Sequence, residues 1–138
     1  REILAADVIE GRLTAADAAA WALAQEGVPL LYSSADPDIV RQVQDQFGRE
    51  ASAAAREGFF ADVACAVHEG GATRIITAGG ETSGAVVEGL GLDTLEIGPE
   101  IDTGVPALRA SADLVVALKS GNFGTEDFFE KADKVLAG

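Results

Sequence analysis

The stretch IITAGGETSG, residues 75–84, runs two isoleucines and a threonine straight into a glycine pair, an acid and two hydroxyls. The β-branched run favours a strand over Thr73–Thr77, and Gly79 and Gly80 break it. Val86, Val87 and Leu90 then recur at helical spacing, with Gly91 as the expected stop. Strand, glycine loop and helix follow one another without a gap. The same order returns at Leu114–Leu118, a continuous apolar strand suited to burial on both faces. It leads into the loop Lys119-Ser120-Gly121-Asn122-Phe123-Gly124 and a helix expected to be capped by Thr125. Phe128, Phe129, Ala132, Val135 and Leu136 are expected to face inward from that helix.

Outward from these two units, helices and strands alternate. Ile3, Leu4 and Val8 predict a short helical turn ending near Gly11. Thr14 and Asp17 form a capping-box pair for a helix running to about Glu26, with Trp21 as its expected anchor. Val28–Tyr32 reads as a strand. Asp36-Pro37 places an acceptor and a proline at a helix start, with Ile39, Val40, Val43 and Phe47 on one face and Gly48 as the end. Another helix is expected from about Ser52 to Gly70-Gly71, with Phe59, Phe60, Val63 and Val67 as its stripe. Leu92–Ile97 reads as a strand and Pro99–Pro106 as turns. This alternation predicts an α/β fold: a three-layer sandwich whose mostly parallel or mixed central sheet is flanked by helices. No helix is evident between Ile97 and Leu114, which favours an antiparallel or mixed element there, since a parallel crossover usually needs one.

The 138 residues fit one domain, or one complete domain of a larger protein. Apolar residues make up 48% and charged residues 24%, enough to build a core. The formal net charge of −13, with ten scattered basic residues, argues against nucleic acid and anionic membranes as partners. A small anion held by backbone amides and a metal ion stays open. No apolar run approaches a membrane span, and no signal peptide is visible, so a cytoplasmic location is the default expectation. The single cysteine, Cys65, sits among alanines and valines and reads as a buried small hydrophobe. His68, the one histidine, lies near a helix C-terminus, where a favourable interaction with the helix end explains it.

The chemistry is expected at the two glycine loops. Ligands of open α/β sheets collect beyond the carboxyl ends of strands, glycines let the backbone approach closely, and the free N–H groups of a helix start attract anions. Neither loop carries GxxxxGK[ST] or GxGxxG. From the residues alone, a ligand loop and a structural turn both fit Gly79 and Gly80. Glu81 stabilises a helix start, or, beside phosphate, needs Mg²⁺ or a ligand hydroxyl. Thr82 and Ser83 suit ligand contact and capping equally. Lys119 is placed to reach a phosphate as a point charge. Asn122 suits a turn, and Phe123 suits a core plug better than a base-stacking surface. Glu100 and Asp102 form a pair of acids in GPEIDTGVP, read as solvated turn acids or as a metal or ligand contact. Ser33 and Ser34 follow a strand but lack the surroundings of a nucleophile elbow.

Taken together, ITAGGETSGAVVEGLGL, LEIGPEIDTGVPALRA and LVVALKSGNFGTEDFF, within residues 75–129, resemble the C-terminal nucleotide-binding domain of the four-carbon acid sugar kinases. The resemblance implies that residues 1–138 are the ATP-binding part of a two-domain kinase that phosphorylates a hydroxyl of a four-carbon sugar acid. It places the N-terminal, sugar-acid-binding domain outside this chain, and the chain alone is then expected to be inactive. It implies nucleotide contact at Gly79, Gly80, Glu81 and Thr82 and at Gly121, Asn122, Phe123 and Gly124. ATP and Mg²⁺ are the implied cofactors and a small sugar acid the implied partner of the whole protein, with a homo-oligomer left open. The resemblance fixes no catalytic residue and no metal ligand. Two other readings compete: a non-catalytic α/β interaction domain, and a dinucleotide-dependent oxidoreductase, which the missing GxGxxG disfavours.

Overall fold

The structure, a computed structural model, describes residues 1–33 and 36–138. Its helices are α1 (Ala5–Ile9), α2 (Ala15–Leu23), α3 (Pro37–Phe47), α4 (Arg49–Glu69), α5 (Gly80–Gly89) and α6 (Phe128–Leu136). Its strands are β1 (Arg74–Ala78), β2 (Glu96–Asp102), β3 (Val105–Arg109) and β4 (Val115–Lys119). They form a sheet of order β1-β4-β3-β2. β1 and β4 run parallel, and the other two pairs are antiparallel. The expected α/β sandwich with a mixed, helix-flanked sheet is therefore observed.

The layers follow from the alternation of side chains along the central strands. Ile75, Leu114 and Val116 point to one face and meet Ala64 of α4 and Val86 of α5. Ala117 points to the other face, joining Val105, Ala107, Ile101 and the α6 residues Phe128, Ala132 and Leu136. The 21-residue α4, about 30 Å long at 1.5 Å per residue, is the spine of the first helical layer. On its far side Phe59 and Val63 close a smaller core with Ile3 and Ala18.

Local chemistry sets the helix ends. The Thr14 hydroxyl accepts from the Asp17 N–H and the Asp17 carboxylate reaches back to the Thr14 N–H, the expected reciprocal cap. Asp36 accepts from the Asp38 N–H at 2.9 Å, with Pro37 in the first turn of α3. α4 begins at Arg49, earlier than the expected Ser52, because Ser52 Oγ donates to the Gly48 carbonyl at 2.7 Å and folds that serine into the first turn.

Several expectations are corrected. Val28–Tyr32 is no strand of the sheet: only a single parallel bridge joins Tyr32 to Glu2, and Val28, Leu30 and Tyr32 are exposed. Trp21 is not the anchor of α2; Ala18 and Ala19 are buried instead, and the Trp21 ring is half-exposed under the Arg1 guanidinium. Ile39, read as sharing one apolar face with Val40, Val43 and Phe47, is exposed, as is Phe129, expected to face inward. The strand read at Leu92–Ile97 lies later, at Glu96–Asp102, because Leu92 and Leu95 pack against the α4–α5 side of the sheet. The stretch Pro99–Pro106, read as turns, is largely β-hairpin, which is the antiparallel element expected between Ile97 and Leu114. Both prolines are in strands, Pro99 on the edge strand β2 between paired positions where the register shifts. Helix α6 starts at Phe128 and Asp127 is its flanking residue, so Thr125 does not cap it. Its hydroxyl is engaged elsewhere, as described below.

Candidate functional site

Parallel pairing of β1 with β4 brings the two glycine loops together. Ala78 lies opposite Lys119 at the carboxyl ends of these strands. The Gly79 N–H donates to the Lys119 carbonyl at 2.8 Å, so one loop leaves its strand hydrogen-bonded to the other. Gly79 has φ +111°, a left-handed conformation that permits the abrupt change from strand to helix. No side chain caps α5, and the Ser83 N–H is the first to find a partner within the turn, the Gly79 carbonyl at 2.9 Å. The N–H groups of Gly80, Glu81 and Thr82 are thus the free donors of this helix start.

Of the residues singled out in the first loop, Gly80 and Glu81 are exposed and Thr82 is half-buried. Ser83 turns inward: its Oγ and the Thr77 Oγ1 are 2.7 Å apart, both buried, which ties the end of β1 to the first turn of α5. Ser83 is therefore part of the loop's foundation. Thr77→Val should destabilise the domain by about 1–3 kcal/mol, the usual cost of stranding a buried hydroxyl. Adding Ser83→Ala should cost less than the sum of the single changes. Denaturant melts of the three variants test this, and strictly additive losses would refute it.

In the second loop, Gly121, Asn122, Phe123 and Gly124 are exposed and Lys119 is half-buried. Lys119 Nζ donates to the carbonyls of Ser120 (3.2 Å) and Gly121 (3.1 Å), so its charge sits over its own loop. Ser120, not singled out in the sequence, faces the first loop: its Oγ lies 4.0 Å from where a side chain on Gly80 would start. Phe123 is not a core plug. Its ring is 46% exposed and rests against Gly104 in the β2–β3 turn, where a Cβ would come within 2.7 Å of it.

The acid pair of the hairpin is bound into this region. Glu100 Oε1 accepts from the Gly104 N–H at 2.9 Å. Asp102 Oδ2 accepts from the Thr125 N–H (3.0 Å), the Thr125 hydroxyl (2.8 Å) and Lys131 Nζ (3.3 Å). The Thr125 hydroxyl is also 2.6 Å from Asp127 Oδ1. It has one proton, so it serves one carboxylate at a time while Lys131 Nζ, 3.0 Å from Asp127, supplies charge to both. The Thr125 hydroxyl and N–H, followed by Lys131, hold the Asp102 carboxyl down at about 2, against an ordinary 3.8. A depressed carboxyl contributes stability in full above its unfolded value and loses it as pH falls through the folded one. The thermal midpoint of the wild type should therefore drop more steeply between pH 4 and pH 2 than that of Asp102→Asn. Parallel curves would refute the coupling. The sequence shows Asp102 and Thr125 as unrelated, and only the pairing of hairpin and loop makes them partners.

Elsewhere the roles are modest, and Cys65, read as a buried small hydrophobe, is only half-buried. The Cys65 thiol donates to the Gly89 carbonyl at 3.2 Å, and burial first, then the Asp62 and Glu69 carboxylates, push its pKa up. A raised thiol is a poor nucleophile. His68 Nδ1–H donates to the Ala72 carbonyl at 2.9 Å beyond the end of α4. Ser34 lies outside the described residues, and Ser33 is half-buried. Two surface hollows lie away from the loops, one at the opposite end of β1 and β4 around Arg74, Arg109 and Asp113, the other between α1, α2 and α4. Among the described residues no three His, Cys, Asp or Glu side chains gather as a metal site, and no helix is long and apolar enough to cross a membrane.

Paired glycine loops at the carboxyl ends of neighbouring parallel strands, one opening a helix with free amides, lie where open α/β sheets collect ligands. A family model described as the nucleotide-binding C-terminal domain matches residues 2–129, and the chain belongs to that family. A 3-oxo-tetronate kinase of Brucella melitensis is 48% identical over 121 residues, 85% of this chain and 28% of the relative. Another, of Pseudomonas fluorescens, is 45% identical over 130 residues, 93% of this chain and 30% of the relative. The crystal structure of a Haemophilus influenzae protein superposes with a TM-score of 0.89 at 38% identity, over 98% of this chain and 34% of that one. A domain of unknown function from Bordetella bronchiseptica, at 21% identity and a TM-score of 0.69, shares the fold. The resemblance read in residues 75–129 is thus borne out for the domain. The chain spans under a third of the length of these curated relatives.

Proposed function

We propose that the chain is the ATP-binding domain of a kinase that phosphorylates a hydroxyl of a four-carbon sugar acid. The observation that carries this reading is the junction of the two glycine loops at the ends of β1 and β4, fastened by the Gly79–Lys119 hydrogen bond. Nucleotide phosphates would lie on the free amides of Gly80, Glu81 and Thr82, where the helix start favours negative charge. The backbone of Gly121, Asn122, Phe123 and Gly124 would form the opposing wall, and Lys119 would add positive charge behind it. The free amides and the open space at Gly80 and Gly121 suit such a ligand.

Mg²⁺ usually keeps several waters and takes only one or two carboxylates together with substrate phosphates. Exposed Glu81, at the first turn of α5, fits that role without a preformed cluster of acids. When bound, the ion neutralises charge on the β- and γ-phosphates. The chain's own contribution is to bind and orient the nucleotide, since phosphoryl transfer depends mainly on positioning and charge stabilisation. In the transfer the γ-phosphoryl bonds to the acceptor oxygen, ADP leaves, and the hydroxyl proton passes to a base. This reading assigns the base and the acceptor site to the rest of a longer kinase, and the chain alone binds ATP without turnover. Calorimetric titration of the chain with Mg-ATP and, separately, NAD tests the reading. Binding of Mg-ATP alone supports it; binding of NAD alone would favour the oxidoreductase, and binding of neither the interaction domain.

A further inference from the structure

The second glycine loop is held from within chiefly by the Lys119 ammonium, which donates to the Ser120 and Gly121 carbonyls. Residues 120–127 are exposed, and their internal backbone bonds include only Phe123 N–H to the Ser120 carbonyl, at 3.2 Å, ahead of Gly124. Its exit, by contrast, is fixed from outside by the β2–β3 hairpin. Asp102 Oδ2 takes both the N–H and the hydroxyl of Thr125, one residue past Gly124. Gly104, at the hairpin tip, supports the Phe123 ring one residue before Gly124, and Glu100 in turn fixes the Gly104 N–H. Between these two grips Gly124 adopts φ +86°, packed against Lys119 and Phe128 so closely that a Cβ would be 3.0 Å from each. The Asp102 side chain keeps only 16% of its accessible area, while its partner Thr125 is exposed.

We infer that the β2–β3 turn, acting through Asp102 and Thr125, is the positioning device for the nucleotide-binding loop 119–124. The inference rests on the nucleotide reading above. A loop that is competent only part of the time binds with its affinity reduced by that fraction. Holding Phe123 and Thr125 on either side of Gly124 keeps the loop in one pose before ligand arrives, which removes the ordering cost from binding. Asp102 and Thr125 touch no nucleotide in this scheme and act through the loop.

Asp102→Ala, Thr125→Val, Thr125→Ser and the Asp102→Ala/Thr125→Val double variant form the test. Mg-ATP affinity is measured by calorimetry well below each unfolding midpoint, and amide hydrogen exchange is followed at Gly121–Gly124. If release of the clamp leaves the loop competent about a tenth of the time, affinity falls about tenfold. That loss is expected for Asp102→Ala and Thr125→Val, with faster exchange confined to the loop. Thr125→Ser, which keeps the hydroxyl, should bind within about twofold of wild type, and the double variant no more weakly than the weaker single, as for partners in one interaction. Folded Asp102→Ala and Thr125→Val proteins with wild-type affinity or wild-type loop exchange would overturn the inference, as would multiplying losses in the double variant. A wild-type chain that does not bind Mg-ATP would instead overturn the nucleotide reading, and the exchange data would then decide the clamp by themselves.

Discussion

Gly80→Val and Gly121→Val are each expected to abolish measurable Mg-ATP binding while leaving the unfolding midpoint close to wild type. Neither glycine has a positive φ, and a Cβ at Gly121 would meet nothing within 4 Å, while one at Gly80 would meet only the Ser120 hydroxyl at 4.0 Å. A branched side chain therefore fits the unliganded fold, and surface changes of this kind usually alter stability by no more than about 0.5 kcal/mol. The same side chain would occupy the space where phosphate must approach the amides. Gly124→Val is the contrasting control. Its φ of +86° and its 3.0 Å approaches to Lys119 and Phe128 make a side chain there costly to the fold itself. Isothermal titration and thermal melts on the three variants separate the effects. Unchanged affinity in both Gly80→Val and Gly121→Val would remove these loops from the nucleotide site.

Phe128→Ala is expected to cost about 3–5 kcal/mol, the range for emptying a buried aromatic site. Phe128 is 1% exposed and belongs to the core between α6 and the sheet, with Ile101, Val105, Ala107, Ala117, Ala132 and Leu136. Several of these neighbours are alanines, too small to close over a vacated ring. Against a typical total of about 5–15 kcal/mol, such a loss would leave the domain marginal. Phe129→Ala, one residue on, should cost far less, because that ring is exposed. Chemical denaturation read by circular dichroism measures both. A loss below about 1 kcal/mol for Phe128→Ala would contradict the packing described. Because Phe128 also underlies Gly124, the same variant should weaken nucleotide binding even where it remains folded.

The adjacent phenylalanines show where sequence reading reaches and where it stops. Helical periodicity assigns both to an inward face, yet α6 begins at Phe128, and at its first turn only one of two successive residues can face the sheet. Features with a local cause were legible: the Thr14–Asp17 cap, the Asp36-Pro37 start, and the strand-glycine-helix units at residues 75–84 and 114–136. The juxtaposition of the two loops followed from the rule for strand ends, without any contact being visible in the sequence. Features with a distant cause were not legible. Leu92 and Leu95 looked like strand residues because burial against α5 and a strand's inner face demand the same side chains. Prolines at 99 and 106 disguised a hairpin, since an edge strand and a register irregularity accept a residue that a central strand would reject. The Asp102–Thr125 bond spans 23 residues, and no local pattern announces it.

Pro99 has a bearing on how copies of the protein behave toward one another. As the outermost strand, β2 would otherwise offer its free backbone as a template for a strand from a second molecule, and Ile97, 76% exposed, would add an adhesive apolar surface. A proline without an N–H, set where the pairing register shifts, interrupts that template midway along the strand. The exposed acids Glu96 and Glu100 add like-charge repulsion between any two such edges. The strand that carries the clamp for the glycine loop is thereby also guarded against sheet-to-sheet aggregation.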